Sequence, residues 1–194
     1  MRLGLTDKIE LRLDGDARMR TRETDLATQE TLHAHGWADS GIGIKWNTHE
    51  GDAKKGTPTI GWVFRAELPT GSRAFRTGGV RPSVLGSFEW ELRDEMAFAI
   101  NAGLTYDRDA MEGRFVSGFL GAGLSKGLTE RLTIAAEVVA QQIAASKYGG
   151  TIAVADVGVK YLFTDNLQVD ALVGRGVTSE SPKYLFTVGV SARF

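Results

Sequence analysis

Apolar and polar side chains alternate along most of the chain. In the stretch YLFTVGVSARF, from Tyr184 to Phe194, every second residue is apolar or aromatic, and four of the five between them are small or polar. A period of two is typical of β-strands whose two faces meet different surroundings. The same pattern covers residues 9–20, 41–47, 59–68, 84–92, 96–106, 131–142, 151–163 and 167–174, whereas both parities are apolar at 114–126. With a stub at 1–5, the sequence predicts about eleven strands and no convincing helix.

The connections between these segments are short and long in turn. Four of the short ones, at 5–9, 92–96, 128–132 and 163–167, place three polar residues with a central acid between two apolar residues, and a fifth, at 48–57, is longer. Polar loops fill residues 21–36, 69–82, 107–113, 144–150 and 175–183; within the first of them, residues 25–34 are interpreted as loop with at most a single helical turn. The sequence therefore predicts an antiparallel up-and-down meander, with short turns at one end and long loops at the other.

The two faces of the predicted strands differ sharply in chemistry. One face carries rows of aliphatic and aromatic residues, and aromatic residues lie near strand ends: Trp46, Trp90, Phe163 and Phe194 beside the short turns, Tyr106 and Tyr184 beside the long loops. The strands run about 9–12 residues, the length that a tilted strand needs to cross a bilayer. Short turns, long loops and aromatic girdles are typical of outer-membrane barrels. We therefore expect the class all-β, an antiparallel up-and-down transmembrane β-barrel with about 11 strands present of 12, formed by residues 1–194 as a single domain.

The opposite face carries the charged and amide side chains, which this interpretation turns toward the lumen. The predicted pore-lining residues are Glu10, Arg12, Asp14, Asp16, Arg18, Lys45, Arg65, Glu67, Glu89, Glu91, Asn101, Glu137, Asp156, Lys160, Asp170 and Arg193. A charge turned toward lipid at mid-depth would cost about 2–4 kcal/mol, which fixes the orientation of the faces. Pairing Phe163 with Leu167 across the last short turn predicts that Lys160 lies opposite Asp170. A terminal strand that ends in Phe194 resembles the signal read by the barrel-assembly machinery.

Composition and charge limit the kinds of partner and chemistry that the sequence predicts. The chain has 194 residues, a net charge of −1, 24 glycines, no cysteine and no apolar run long enough for a transmembrane helix. Near neutrality gives no reason to expect a nucleic-acid partner. No nucleophile motif is present, so we expect no enzyme and no cofactor, and His33 and His35 are interpreted as polar loop residues rather than metal ligands. Arg73, Arg76 and Arg81 in the 69–82 loop are equally consistent with lipopolysaccharide contact and with simple solvation.

Several segments also resemble a known family. They are GLTDKIELRL at 4–13, RAELPTG at 65–71, GLSKGLTERLTIAAEV at 123–138 and the whole of residues 161–194. They are similar to the outer-membrane transporter family labelled "MetA-pathway of phenol degradation". The resemblance implies a small channel linked to uptake of aromatic or other hydrophobic compounds. Members of the family usually carry a signal peptide and one further strand, so we expect this chain to begin after them.

The combined expectation is a passive channel for small solutes in the outer membrane of a Gram-negative bacterium. Its partners would be outer-membrane lipids, lipopolysaccharide, the barrel-assembly machinery and a small-molecule solute. Two alternatives stay open at this point: a non-transporting structural or lipid-surface-binding barrel, and a soluble ligand-binding β-barrel.

Overall fold

A computed structural model of the chain describes residues 1–15, 18–24, 31–108, 113–143 and 150–193, and these residues form thirteen β-strands. The strands are β1 (Arg2–Gly4), β2 (Ile9–Gly15), β3 (Met19–Thr24), β4 (Thr31–Gly36), β5 (Ser40–His49), β6 (Thr59–Leu68), β7 (Arg81–Glu91), β8 (Met96–Arg108), β9 (Arg114–Gly127), β10 (Leu132–Ile143), β11 (Gly150–Thr164), β12 (Leu167–Gly176) and β13 (Leu185–Ala192). Within the described ranges, no helix has the length and apolar character needed to cross a membrane.

Eleven of the strands form one antiparallel sheet in the order β1-β2-β5-β6-β7-β8-β9-β10-β11-β12-β13. This confirms the predicted meander and its all-β class. β3 and β4 form a separate hairpin inside the segment predicted as the 21–36 loop, so that prediction was wrong. The strand predicted over 9–20 is also shorter than expected, because β2 ends at Gly15. The ambiguous segment 114–126 is a full strand, β9, paired on both sides.

The short turns are organised by a threonine hydroxyl. Thr6 Oγ1 accepts hydrogen bonds from the backbone N–H groups of Lys8 and Ile9, and Thr129 Oγ1 accepts them from Arg131 and Leu132. A hydroxyl that satisfies backbone donors in this way stabilises a tight turn. The repeated turn pattern in the sequence therefore has a direct structural cause.

The other two short turns differ in backbone geometry, although Thr164 Oγ1 in the last of them also accepts a hydrogen bond from Asn166 N. The turn at 92–96 has an arginine in place of the threonine, and Asp94 and Glu95 adopt left-handed backbone angles of φ 57° and 56°. The last turn is tighter than predicted, because Thr164 pairs with Leu167 and a bulge lies between Leu162 and Thr164. The pairing of Lys160 with Asp170 is nevertheless confirmed.

The sheet curls toward its polar face. On β5 the apolar residues Ile42 and Trp46 are 43% and 47% exposed, whereas Gly41 and Gly43 on the opposite face are buried. On β9 Val116 is 54% exposed and its neighbour Ser117 only 3%. Since successive residues of a strand point to opposite faces, the apolar face is the convex one.

The sheet has almost no apolar core of its own. Each strand contacts only the strands with which it pairs, so within the described residues no second layer packs against either face. Ala153 and Val154 are the only buried apolar residues among them, while Phe186 and Val188 are each 75% exposed. No ladder between β1 and β13 is found within the described ranges, so closure of the sheet into a full barrel stays a prediction.

Candidate functional site on the polar face

Most of the predicted pore-lining residues share one face of the sheet, which we call the polar face. Antiparallel partners point to the same side, so the register can be followed from strand to strand. It places thirteen of the predicted residues together: Glu10, Arg12, Asp14, Lys45, Arg65, Glu67, Glu89, Glu91, Asn101, Glu137, Asp156, Lys160 and Asp170.

The other predicted residues do not join these strands. Asp16 and Phe194 lie outside the described residues. Arg18 lies in the connection before β3 rather than in the wall of the large sheet, which corrects its placement on a strand. Arg193 follows β13, and its Nε donates a hydrogen bond of 3.3 Å to Oδ1 of Asn166 in the neighbouring short turn.

Five charged residues on the polar face form a continuous network near the long-loop end. The members of this charge network are Asp14, Arg65, Glu67, Arg81 and Asp107. Arg65 Nη2 lies 2.5 Å from Asp14 Oδ2, and Arg65 Nη1 lies 3.0 Å from Glu67 Oε2. Arg81 Nη2 lies 2.7 Å from Glu67 Oε1, and Arg81 Nη1 lies 3.1 Å from Asp107 Oδ1. Three carboxylates and two guanidinium groups give the network a formal charge of −1.

Glycine at position 41 lets the network cross a strand. β5 lies between β2, which carries Asp14, and β6, which carries Arg65. A Cβ at Gly41 would lie 2.7 Å from Arg65 Nε and 2.8 Å from Asp14 Oδ2. Because Gly41 has no side chain, the charged groups of Arg65 and Asp14 meet in the space over the backbone of β5.

Glu67 is the centre of the network. Each of its two oxygens accepts a hydrogen bond from a different arginine, and its side chain is only 19% exposed. Arg81 is held on both sides by carboxylates, and its buried Nε has no hydrogen-bond partner among the described residues. Charge-assisted bonds of this kind are stronger than neutral ones and fix the geometry of the guanidinium groups.

Sequence reasoning missed two members of the network. Arg81 was interpreted as a loop residue, but β7 begins at this position and turns the side chain onto the polar face. Asp107 was placed in the loop at 107–113, whereas β8 extends through it to Arg108. Both residues could have been identified from their spacing. Residues an even number of positions apart on one strand share a face, and Arg81 is spaced in this way from Glu89, as Asp107 is from Asn101.

A buried carboxylate anchors the following loop above the network. Asp39, in the connection between β4 and β5, is 4% exposed. Its oxygens accept hydrogen bonds from Gly71 N at 2.7 Å, Thr77 N at 2.8 Å and Thr77 Oγ1 at 2.5 Å. Ser72 N donates to Trp37 O, and Trp37 N donates to Ser72 Oγ, both at 2.8 Å. The loop that joins β6 to β7 is therefore fastened to residues 37–40.

The ionised form of Asp39 is favoured by this setting. Burial opposes ionisation, but the hydrogen bonds from the Thr77 hydroxyl and from the backbone of Thr77 and Gly71 outweigh it. With the nearby charge of Arg81, they hold the pKa of Asp39 below its ordinary value. A carboxylate that accepts several N–H and O–H bonds behaves in this way.

Below the charge network the polar face becomes less charged. The next register row toward the short turns contains the hydroxyls of Ser83, Thr105 and Ser117, beside Arg65. The row after it contains Val63, Leu85 and Phe119 together with Lys45 and Gln141. The wall thus passes from ion pairs through hydroxyl groups to a mixed row of apolar and polar side chains, and carboxylates return nearer the short turns.

The other charged residues on this face form fewer ion pairs. Glu10 and Arg12 form an ion pair of 2.7 Å. Glu137 lies opposite Asp156 across β10 and β11, which places two carboxylates side by side. Lys160 and Asp170 are opposite each other as predicted but form no ion pair. Within the described residues, no group of three or more His, Cys, Asp or Glu side chains is arranged to hold a metal ion.

One family model matches this chain. The sequence profile of the family described as "MetA-pathway of phenol degradation" matches residues 5–194, which is nearly the whole chain. No curated protein matches this sequence. The matched range includes every strand from β2 to β13 and all five members of the charge network.

Proposed function

Because the chain belongs to the family described as "MetA-pathway of phenol degradation", we propose that it is an outer-membrane β-barrel through which small solutes diffuse passively. The observation that carries this proposal is the reversal of its faces. Charged side chains occupy the concave side of the sheet, and exposed aliphatic and aromatic residues occupy the convex side. A water-filled interior and a lipid-facing exterior require this arrangement.

The exposed fractions of side chains on the apolar face support a lipid environment. Val138, Val157, Phe186, Val188 and Val190 are between 51% and 75% exposed on the convex side. Soluble monomers rarely expose a continuous apolar patch larger than a few hundred Å². Membrane lipids would cover this surface, and the barrel-assembly machinery would insert the strands. A soluble ligand-binding barrel is the weakest of the three interpretations, because it would need these side chains inside.

The charge network would act as the selective part of the pathway. In an outer-membrane barrel the long loops face outward, so a solute would meet Asp14, Arg65, Glu67 and Arg81 first. It would then pass the row of hydroxyl groups and the row in which Leu85 and Phe119 share the wall with Lys45. A wall with this order suits small solutes that combine a polar group with an apolar or aromatic body. Selectivity would follow from lining charge and pore width.

The experiment is conductance of the refolded chain in planar bilayers. We expect discrete channel openings, and we expect Arg81→Gln to increase the preference for cations because the network then carries one more uncompensated negative charge. Arg76→Gln is the matched control, since it removes the same charge from an exposed loop position. Equal shifts in both variants would show that ions do not pass the polar face.

One observation favours a non-transporting barrel as the second candidate. Every charged side chain of the network forms an ion pair with another member, as in a closed, structural interior. In that case the folded barrel is electrically silent, and Glu67→Ala opens it by releasing both arginines. A wild-type chain that conducts removes this candidate.

A further inference from the structure

The convex apolar face contains a groove of about 580 Å³. It lies where small residues follow one another across the strands and larger side chains stand on both sides. The small residues are Gly86, Ala102, Gly118 and Ala140, which follow a diagonal path between strands, and the flanking residues are Trp62, Leu104 and Leu120, the last standing between Ala102 and Ala140 in the register. Trp62 leans over the first of them, since a Cβ at Gly86 would lie 3.0 Å from Trp62 Cζ3.

The groove has a polar rim at its upper end. Gln142 and Thr151 pair across β10 and β11 on the same convex face, and both are exposed. A Cβ at Gly118 would meet Gln142 Oε1 at 4.0 Å and nothing nearer. An amide and a hydroxyl side by side on a face that is otherwise aliphatic favour a ligand that carries hydrogen-bonding groups at this level.

A cation stands above the rim. Arg114 is exposed, its guanidinium lies 5.7 Å from the centre of the Tyr106 ring, and its Nη1 donates a 3.5 Å hydrogen bond to the Tyr106 hydroxyl. No carboxylate in the described part of the chain forms an ion pair with it. Gly118 lies four positions after Arg114 on β9, which corresponds to about 13 Å along the strand.

We propose that this surface binds one phosphorylated glycolipid of the outer leaflet, of the lipid A class. Its acyl chain occupies the groove between Trp62 and Leu104, its amide and hydroxyl groups meet Gln142 and Thr151, and its phosphate is bound by Arg114. This inference rests on the proposed outer-membrane location, because it requires the long-loop end to face the leaflet that contains this lipid.

Charge and position together select this occupant over a phospholipid. The cation is at the long-loop end, and guanidinium groups recognise phosphate in two-pronged geometry. The sugar amides of a glycolipid also provide partners for Gln142 and Thr151 that a diacylglycerol phospholipid lacks.

The test is titration of the refolded, delipidated chain with purified lipid A in detergent, with bound lipid counted by native mass spectrometry. We expect one retained lipid. Arg114→Gln should weaken binding about tenfold by removing charge-assisted hydrogen bonds to the phosphate. Gly118→Leu should weaken it at least as much, because the new side chain enters the groove. Ala140→Leu is the second filling variant if Gly118→Leu does not fold.

Two controls make the same changes elsewhere on this face. Arg175→Gln removes an exposed arginine on β12, and Ala122→Leu adds the same bulk to β9 outside the groove. Both control variants should bind lipid A within about twofold of the wild-type affinity. Equal losses in test and control variants, or equal affinity for phosphatidylglycerol vesicles and lipid A, would overturn the proposal.

Conductance separates this proposal from the proposed function. Arg114 and Gly118 point away from the polar face, so their variants should conduct as the wild-type chain does. A silent chain that still binds lipid A would remove the channel and keep the lipid site. A conducting chain that retains no lipid would remove the lipid site and keep the channel.

Discussion

The guanidinium of Arg65 lies 2.5 Å from the carboxylate of Asp14, although a complete strand separates the two strands that carry them. The contact exists because Gly41 on that intervening strand has no side chain. Gly41→Ala should therefore separate the two ions by pushing the arginine aside. Because both partners are partly exposed, the loss of folding free energy should be at most about 1 kcal/mol.

The measurable effect of Gly41→Ala should appear mainly in ion selectivity, read from the reversal potential in a salt gradient. Gly61→Ala is the control, since it adds the same methyl group to the polar face, with Asn47 Oδ1 as its nearest neighbour at 3.2 Å. An unchanged reversal potential in Gly41→Ala would show that the ion pair does not influence passing ions.

Glu67→Gln tests the centre of the network. It removes the one carboxylate that serves two arginines, so we expect a shift toward anions and a loss of about 1–3 kcal/mol in the free energy of unfolding. Glu91→Gln, at an exposed polar-face position without an ion pair, should change stability by less than about 0.5 kcal/mol. Urea unfolding in detergent measures both; similar losses in the two variants would contradict the central position of Glu67.

Asp39 should control how firmly the loop between β6 and β7 is held. Asp39→Ala removes the acceptor for Gly71 and Thr77, so trypsin should cut after the exposed Arg73 and Arg76 faster, by about tenfold for roughly 1.4 kcal/mol of local stability. Asp39→Asn keeps one acceptor oxygen, so its cleavage rate should lie between those of the wild-type chain and Asp39→Ala. Identical cleavage rates in all three proteins would show that the carboxylate does not fasten the loop.

The same anchor should depend on pH in a defined direction. The pKa of Asp39 is lower in the folded chain than in the unfolded one, so its contribution to stability is complete above the ordinary aspartate pKa of about 3.9. That contribution is lost as the pH falls through the lower, folded-state pKa. Hydrogen exchange at the Thr77 amide should therefore accelerate below about pH 4 beyond its intrinsic pH dependence. Persistence of the acceleration in Asp39→Asn would assign it to another group.

Glu95→Gly should stabilise the protein. Glu95 has φ of 56°, a conformation in which glycine avoids the steric cost of a side chain. After allowance for the greater freedom of glycine in the unfolded chain, we expect a gain of about 0.5–1 kcal/mol. Arg131→Gly at the equivalent position of the 128–132 turn should destabilise, because its φ is not positive. Thermal unfolding of both variants gives the comparison.

Much of the fold is predictable from the sequence because alternation with period two depends only on which face each residue meets. The eleven strands of the large sheet and the pairing of Lys160 with Asp170 follow from it. The β3–β4 hairpin does not, because its residues carry no consistent alternation and continue into a segment with helical character. The bulge between Leu162 and Thr164 is equally local and leaves no mark in the pattern.

The charge network was predictable only in part, for a physical reason. Alternation places Asp14, Arg65 and Glu67 on one face but gives no information about which side chains meet. Contact between Arg65 and Asp14 depends on the stagger of three strands, and that stagger is set by loops of different lengths. The ends of β7 and β8, where Arg81 and Asp107 lie, are the positions at which strand and loop are hardest to separate by composition.

The buried carboxylate of Asp39 lies only two residues before Gly41, on the same short stretch of backbone. The loop between β6 and β7 and the Arg65–Asp14 ion pair are therefore linked through three consecutive positions, residues 39–41. Displacement of that loop would move the start of β5 and, with it, the position of Arg65. If the chain spans the outer membrane as proposed, binding at the loop alone would change the charged wall without any molecule entering it.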